Sequence, residues 1–551
     1  MILPLVFVSV AVALFAVFPL TDTDIWWHLA CAREWVTTWT PVREPVVNAH
    51  EFFQQTVAFV YNIGGAPLLV AFKAILWGGV FALFLWPSVK RMPREGHPEK
   101  APKGHPGLSS RTCHSGLSSQ IYSGTGSAIA CILLFVFRYQ FEMRPVVFSL
   151  LFLGIYWNIL PWLIIGSDER DKRKRIASAL LILILQWIWC KFQGLYILGL
   201  LYAFTVIMFE HELWDVGDYT WWKKVNRKKY YLHLGFLTLL LVMPFLHRGG
   251  FNLFAYPVEL FDRLLGFSPS AAVFAGEIAE NRSPITLLMA GENVLQSALM
   301  IALILGGIVL ACVRWRSRKS PYSSERLTWQ RAERMEAIVN YRLQPFCLVV
   351  TAALALVAER NFVLFLPVLF AVALPHWIHR PFGPLDDGSQ SNNKQQTLIR
   401  LIPIILIAFL LGVWVKSLLA YDSMVAYQRV PVAATEWMKS HPHPGRLFND
   451  DRAGGYLAFM NPSDSTYIDG RFMLKTAEFF ENYLRYSKFP QTFLHDADVQ
   501  NIDRAVLPLR YYARWDKLLA ALDSAENWHV AYRDSLFVVM DRTTYENVGV
   551  K

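Results

Sequence analysis

Long, nearly charge-free blocks punctuate this chain, among them "MILPLVFVSVAVALFAVFPL", "ASALLILILQWIWC", "SALMIALILGGIVLACV" and "LIPIILIAFLLGVWVKSLLA". About 20 apolar residues span a bilayer as a helix. On that measure we place membrane spans at 2–20, 66–86, 126–141, 145–165, 176–190, 193–209, 230–246, 294–312, 344–358, 361–377 and 400–420. The pattern predicts a polytopic α-helical membrane protein with about 11 crossings, the membrane domain covering residues 1–420.

After Tyr421 the texture changes to that of a water-soluble domain, residues 421–551. "PVAATEWMKSH", "AGGYLAFM", "TAEFFENYLRYSK" and "WDKLLAALDSAE" read as helices, the first opened by Pro431. "GRLFND", "STYIDG" and "RAVLPL" read as strands, and "WHVAYRD" with "LFVVMDR" as a hairpin turning near Ser535. Helices alternating with strands predict a small α/β domain with a mainly parallel sheet and an antiparallel edge hairpin. No nucleotide-binding glycine motif occurs in it.

Composition agrees with this reading: 54% of the 551 residues are hydrophobic and 17% charged. A net charge of +10 would suggest nucleic acid in a soluble protein. Here the basic residues gather in alternate loops, at Lys90 to Arg111, Arg170 to Arg175, Lys223 to Lys229, Arg314 to Arg342 and Arg380 to Arg400. That is the positive-inside pattern. It sets the N-terminus in the cytoplasm, turns the first loop and everything after Tyr421 outward, and excludes nucleic acid as a partner.

The six cysteines contain no Cys-x-x-Cys pair, so neither a zinc site nor a disulfide framework is indicated. The first apolar segment lacks a basic flank and a small-residue cleavage site, which makes it a retained helix. Residues 87–125, rich in Pro, Gly, Ser and basic side chains, read as a disordered cytoplasmic loop. Its His97, His105 and His114 have no metal-ligand spacing.

Candidate chemistry begins where the first span ends, in "TDTDIWWHLA" at 21–30. Ile25, Leu29, Ala32 and Val36 share one helical face, and Trp26, Trp27, Trp35 and Trp39 suit a helix lying in the headgroup layer. On the plain reading Asp24 caps that helix and Asp22 is a solvated neighbour. On the functional reading the two carboxylates, with His28 beside them, hold a divalent cation or act as a base. The cation would neutralise a departing phosphate. Arg144 in "MRP" and Arg360 in "ERN" fall at outward helix ends, suited either to holding lipid phosphate or to reaching the interface. Glu359 is expected to pair with Arg360 or Arg144, since an ionisable group at membrane depth needs a partner. Lys191 and Gln193 mark another outward turn, and Asp469 and Arg471 in "IDGR" read as a local ion pair at a strand end.

The stretch "DTDIWWHLACAREWVTTWTPVREPVV" after a first span resembles a large family of bacterial polytopic proteins that are themselves similar to the membrane-embedded C-class (GT-C) glycosyltransferases. The likeness continues in order through "MRPVVFSLLFL", "WCKFQGLYILGL", "MPFLHRGGFNLFAYP", "EIAENRSPI", "ERNFVLFLPVLFAVALP" and "GRLFNDDRAGGYLAFM…STYIDGR". The resemblance implies a GT-C-like fold in the bacterial cytoplasmic (inner) membrane and a sugar donor carried on polyprenyl phosphate. A glycan, lipid or protein would accept the sugar. It implies catalytic acids at Asp22 and Asp24, with later acids at Glu277 and Glu280; on the functional reading of the loop, a magnesium or manganese ion binds at Asp22, Asp24 and His28. Arg144 and Arg360 would hold the lipid phosphate.

Two other classes stay open at the sequence level. A transporter would show inverted repeats and broken helices with acids at mid-bilayer; the notable charges here lie at helix ends. A non-catalytic scaffold on the same fold is compatible with the sequence, because fold does not fix function.

Overall fold

A computed structural model describes residues 3–43, 47–90, 116–166, 172–212, 227–265, 267–277, 281–316, 331–377, 393–471 and 474–543. The membrane part consists of α1 (Leu3–Phe15), α2 (Asp24–Cys31), α3 (Glu51–Lys90), α4 (Gly116–Val136), α5 (Val146–Pro161), α6 (Lys172–Trp189) and α7 (Ile197–Glu210). It continues with α8 (Arg227–Val242), α9 (Gly250–Leu265), α10 (Pro269–Glu277), α11 (Pro284–Met289) and α12 (Val294–Trp315), then α13 (Arg331–Ile338), α14 (Gln344–Val357), α15 (Phe362–Trp377) and α16 (Asn393–Leu419). Among the described residues, five helical stretches are long and apolar enough to cross a membrane: Glu51–Pro87, Val146–Gly166, Arg227–Leu246, Val294–Trp315 and Arg334–Val357. Shorter apolar helices run at Leu5–Phe15, Gly126–Val136, Gly194–Glu210 and Ile404–Leu419.

Every apolar run read from the sequence coincides with a helix, but several boundaries move. Helix α3 starts at Glu51, well before the expected span at 66, because an amphipathic half precedes the apolar one. The two halves meet at a break at Gly64 and Gly65, and Pro67 falls in the first turn of the second half, where a missing N–H costs little. The segment expected to be a loop from 87 to 125 is invaded from both sides, by α3 up to Lys90 and by α4 from Gly116. His97, His105 and His114 lie outside the described residues.

Helix α3 is the hub, packing against α1, α5 and α15. Phe53, Trp77, Phe81 and Phe84 on it are fully buried. Burying aromatic side chains of this size, each worth about 1.5–3 kcal/mol relative to exposure, lets one helix organise its neighbours. Helix α16 returns alongside α4 and α1, its Trp414 indole donating to Leu14 O at 2.8 Å.

The C-terminal domain contains α17 (Val432–Ser440), β1 (Arg446–Asn449), α18 (Asp451–Met460), α19 (Ala477–Lys488), α20 (Pro490–Gln500), β2 (Ile502–Pro508), α21 (Asp516–Ser524), β3 (Trp528–Arg533) and β4 (Phe537–Arg542). The sheet order is β1-β2-β4-β3. Only β1 and β2 run parallel; β2 with β4 and β4 with β3 are antiparallel. The expected mainly parallel sheet is therefore corrected to a mixed one. Two causes act. The hairpin enters the sheet through β4, so half of it is central, and "STYIDG" never becomes a strand of the sheet. Asn449 takes its backbone instead, accepting from Tyr467 N at 2.8 Å and donating to Ile468 O at 2.7 Å.

All of β2 is buried, including two charged residues. Arg504 survives there through a two-pronged bond to Asp541, both arms 2.7 Å, and Asp503 through His443 at 2.7 Å. Buried charges persist only when so paired.

The two parts are sewn together by the first loop. Thr38 bridges Thr466, and Trp39 N donates to Thr466 O at 3.0 Å while Thr466 N donates to Thr37 O at 3.0 Å. The Trp39 indole reaches Leu447 O at 2.9 Å. Lys475 enters a cage of oxygens from the loop, donating to Thr38 Oγ1 at 3.0 Å and Thr40 Oγ1 at 2.6 Å. Burial lowers that ammonium to about 8, offset in part by Asp469.

Candidate active site

The turn between α1 and α2 is pinned before any chemistry is considered. Leu20 pairs with Val425, and Leu20 N donates to Met424 O at 2.9 Å. Thr21 then donates its hydroxyl to Glu142, and Asp22 follows with only 7% of its surface exposed. Arg144, just before α5, donates to Asp22 through Nε at 2.7 Å and Nη2 at 3.3 Å. The backbone N–H of Asp24 adds a third donor at 3.3 Å. Asp22 is thus no solvated neighbour but the anion of a largely buried pair.

Two further charges complete the cluster. Lys73, on α3, has no exposed surface; its ammonium donates to Phe18 O at 3.0 Å and lies 3.4 Å over the Phe18 ring. Glu142, between α4 and α5, accepts from Thr21 and keeps its other oxygen, Oε2, buried without a hydrogen bond. Burial lifts the Glu142 carboxyl above its ordinary range, against the pull of Lys73, and the charge of Asp22 lifts it further. Two carboxylates and two cations therefore share one end of the helix bundle.

Sequence reasoning singled out Asp22 and Arg144 but missed Lys73 and Glu142. For Lys73 the signal was present: it is the one charge inside "APLLVAFKAILWGG", and an ionisable residue in a span marks function or a partner. Glu142 carries no comparable signal.

Asp24 lies on the other side of the turn. It is the first residue of α2 rather than its cap; the cap position falls to Thr23, whose side chain makes no capping bond. The Asp24 carboxylate packs on Gly470, where an added Cβ would come within 2.4 Å of Oδ1. Asp469 and Arg471 flank that glycine and form the expected local ion pair, 2.6 Å, which also holds Thr37. The "DTD" and "IDGR" stretches thus meet across the two parts of the molecule.

The expected headgroup-layer helix is corrected here. Helix α2 is short and buried, from Ile25 to Cys31, and packs on α18, with Trp26 edge-on to Tyr456 at 4.8 Å. Apolar residues on nearly every side gave α2 a buried place rather than a half-wet one.

His28, 2% exposed, sits against Phe53 at 4.6 Å and His50 at 5.4 Å, and its Nδ1 makes no hydrogen bond. Burial, followed by the charges of His50 and Arg471, holds it well below the ordinary histidine range, so the ring is neutral at pH 7. A neutral imidazole suits a metal, but no group of three or more His, Cys, Asp or Glu that could hold one occurs among the described residues. Asp22 faces Arg144 and Asp24 faces Gly470. The described donors do not fit the expected magnesium or manganese ion, and no chemical step is derived through one.

Arg360 opens a neighbouring polar patch. Its Nη1 donates to Asn281 Oδ1 at 2.9 Å. Glu359 accepts from Tyr139 Oη at 3.2 Å, and its backbone N–H donates to Arg282 O at 3.0 Å. The 359–361 turn is thereby joined to the 138–144 segment that carries Glu142 and Arg144. Lys191 pairs with Glu51 at 2.8 Å, and Gln193 accepts from Ser149 at 2.7 Å. Glu277 is the last residue of α10, and Glu280 lies outside the described residues.

Fold and site together define a polytopic helical membrane protein in which the first loop, α3 and the segment before α5 bring a charged cluster together. Neither a family model nor a curated protein matches the chain. Among solved structures it is similar to the Archaeoglobus fulgidus oligosaccharyltransferase in the apo form, at 12% identity and a TM-score of 0.46, over 98% of this chain and 74% of that one. The same enzyme in complex with Zn and sulfate gives 11% identity and a TM-score of 0.43, over 91% and 68%. ArnT from Cupriavidus metallidurans in the apo state gives 12% identity and a TM-score of 0.36, over 98% and 97%.

Proposed function

We propose that this chain is a membrane glycosyltransferase that moves a sugar from a polyprenyl-phosphate carrier to a glycan, lipid or protein acceptor on the outer face of the cytoplasmic membrane. The observation that carries the reading is the cluster of Asp22, Arg144, Lys73 and Glu142, in a sequence that resembles GT-C enzymes at Asp22 and Asp24. Arg144 and Lys73 supply the positive charge that a departing phosphate requires, in surroundings where such charge acts strongly. Asp22 orients Arg144. Asp24, at the start of α2, is the base that takes the acceptor proton. Glu142, with its raised affinity for a proton, returns one to the leaving phosphate, and Arg360 steadies the lipid headgroup.

Asp24→Asn is expected to abolish sugar incorporation into surface glycan and to accumulate lipid-linked sugar, at unchanged protein level. Unaltered glycan in that variant overturns the reading.

One observation favours a second reading, a non-catalytic scaffold: Asp22 is held by Arg144 and Asp24 is packed on Gly470, as purely structural acids would be. On that reading Asp24→Asn lowers the amount of folded protein and leaves the lipid-linked sugar pool unchanged.

A further inference from the structure

At the end of α5 away from Arg144, the helix continues past Pro161 as a π-helical turn, Trp162–Gly166. Such widened turns recur where helices make room for a ligand. Beside it lies a cavity of about 270 Å³ between this turn, α6 and α8. Its wall is mostly apolar, with Ile164, Ile176, Leu232 and Phe236 beside a buried His233 that bonds His211 at 3.0 Å, while Lys172 and Arg175 stand at its start on α6. From Lys172 to Ala179, the first and last α6 residues lining the cavity, the helix rises about 10 Å. Positive charge therefore lines one end of the α6 wall and apolar side chains the other.

Two other basic residues at this end, Lys229 and Arg334, both bind the buried Glu210, the second at 3.0 Å. Lys172 and Arg175 have no acidic partner among the described residues. A loop that is basic only to orient the chain needs no cavity beneath it, and an apolar pocket needs no arginine at its mouth. The combination matches an amphiphile with a negative head and one hydrocarbon tail in the slot, the kind of basic pocket that binds anionic lipid headgroups.

We infer that this cavity is a binding site for one anionic phospholipid, its phosphate on Lys172 and Arg175 and an acyl chain between the π-helical turn, α6 and α8. The site is separate from the Asp22 cluster and does not depend on the function proposed for it.

The test uses the full-length protein in dodecyl maltoside with phosphatidylglycerol, phosphatidylcholine or inorganic phosphate added, reading bound lipid by native mass spectrometry and the midpoint of thermal unfolding. Phosphatidylglycerol is expected to bind and raise the midpoint, with phosphatidylcholine and phosphate far weaker. Lys172→Gln and Arg175→Gln should each weaken phosphatidylglycerol by about fivefold. Ala179→Leu, which narrows the slot and keeps both charges, should weaken it as well. Equal binding of phosphatidylcholine removes the role of charge, and an equal effect of inorganic phosphate removes the role of the slot. Either result overturns the inference, as does phosphatidylglycerol binding that survives all three substitutions.

Discussion

Asp22 and Asp24 are separated by a single threonine, yet their carboxylates serve different neighbours. Asp22 lies against Arg144 with 6% of its side chain exposed, and Arg144 retains 29%. Removing the Asp22 charge takes two contacts from a partly exposed Arg144. Asp22→Asn is expected to lower stability by about 1–3 kcal/mol, seen as a lower thermal midpoint in detergent, and Arg144→Gln added to it should restore part of the loss. His443 offers a pH test in the C-terminal domain. Burial opposes its charge, but Asp464 and Asp503 outweigh that and raise it to about 9. Its folded affinity for protons exceeds the unfolded value near 6.5, so its contribution is full below pH 6.5 and is lost as the pH rises to 9. Protection of the β1 and β2 amides from hydrogen exchange should fall across that window, and His443→Gln should flatten the dependence. Asp22 and Arg144 could be picked from the sequence because each sits beside a recognisable helix end. Their partnership could not, since it spans 122 positions and leaves no local pattern.

Among the elements, α2 best shows what periodicity conveys and what it leaves out. The aromatic density of "DIWWHLAC" marks a helix near the lipid boundary. Its burial depends on α18, more than 400 residues later, which no window of sequence contains. The contact is close: a Cβ on Gly455 would lie 2.7 Å from Trp27 N. Gly455→Ala is expected to push α2 aside at a cost of about 1–3 kcal/mol, read as faster proteolysis of the 32–43 segment. The apolar spans were legible because bilayer thickness fixes their length and hydropathy. The sheet was only half legible, because the order β1-β2-β4-β3 depends on which edge the hairpin joins. Alternation along a strand does not encode that choice.

For the whole molecule, the first loop belongs structurally to the C-terminal domain. Arg471 and Lys475 fix Thr37, Thr38 and Thr40, and Gly470 lies against Asp24. Co-expressing residues 1–420 and 421–551 as separate chains should therefore yield a complex that survives purification. Arg471→Ala together with Lys475→Ala should weaken it at least tenfold, measured by pull-down at graded concentrations. Ions on exposed surfaces would not behave this way, because salt and water screen them.

Those same bonds impose a timetable on biosynthesis. Thr37 and Asp469 stand 432 positions apart, which at about 5–20 residues per second is roughly 20 to 90 s of translation. For that interval the nascent loop has its hydroxyls and carbonyls facing water, with its eventual partners not yet synthesised. The seam between the first loop and the C-terminal domain is therefore one of the last features to be completed, and a ribosome that stalls late leaves the residues of the Asp22 cluster synthesised beside an open seam.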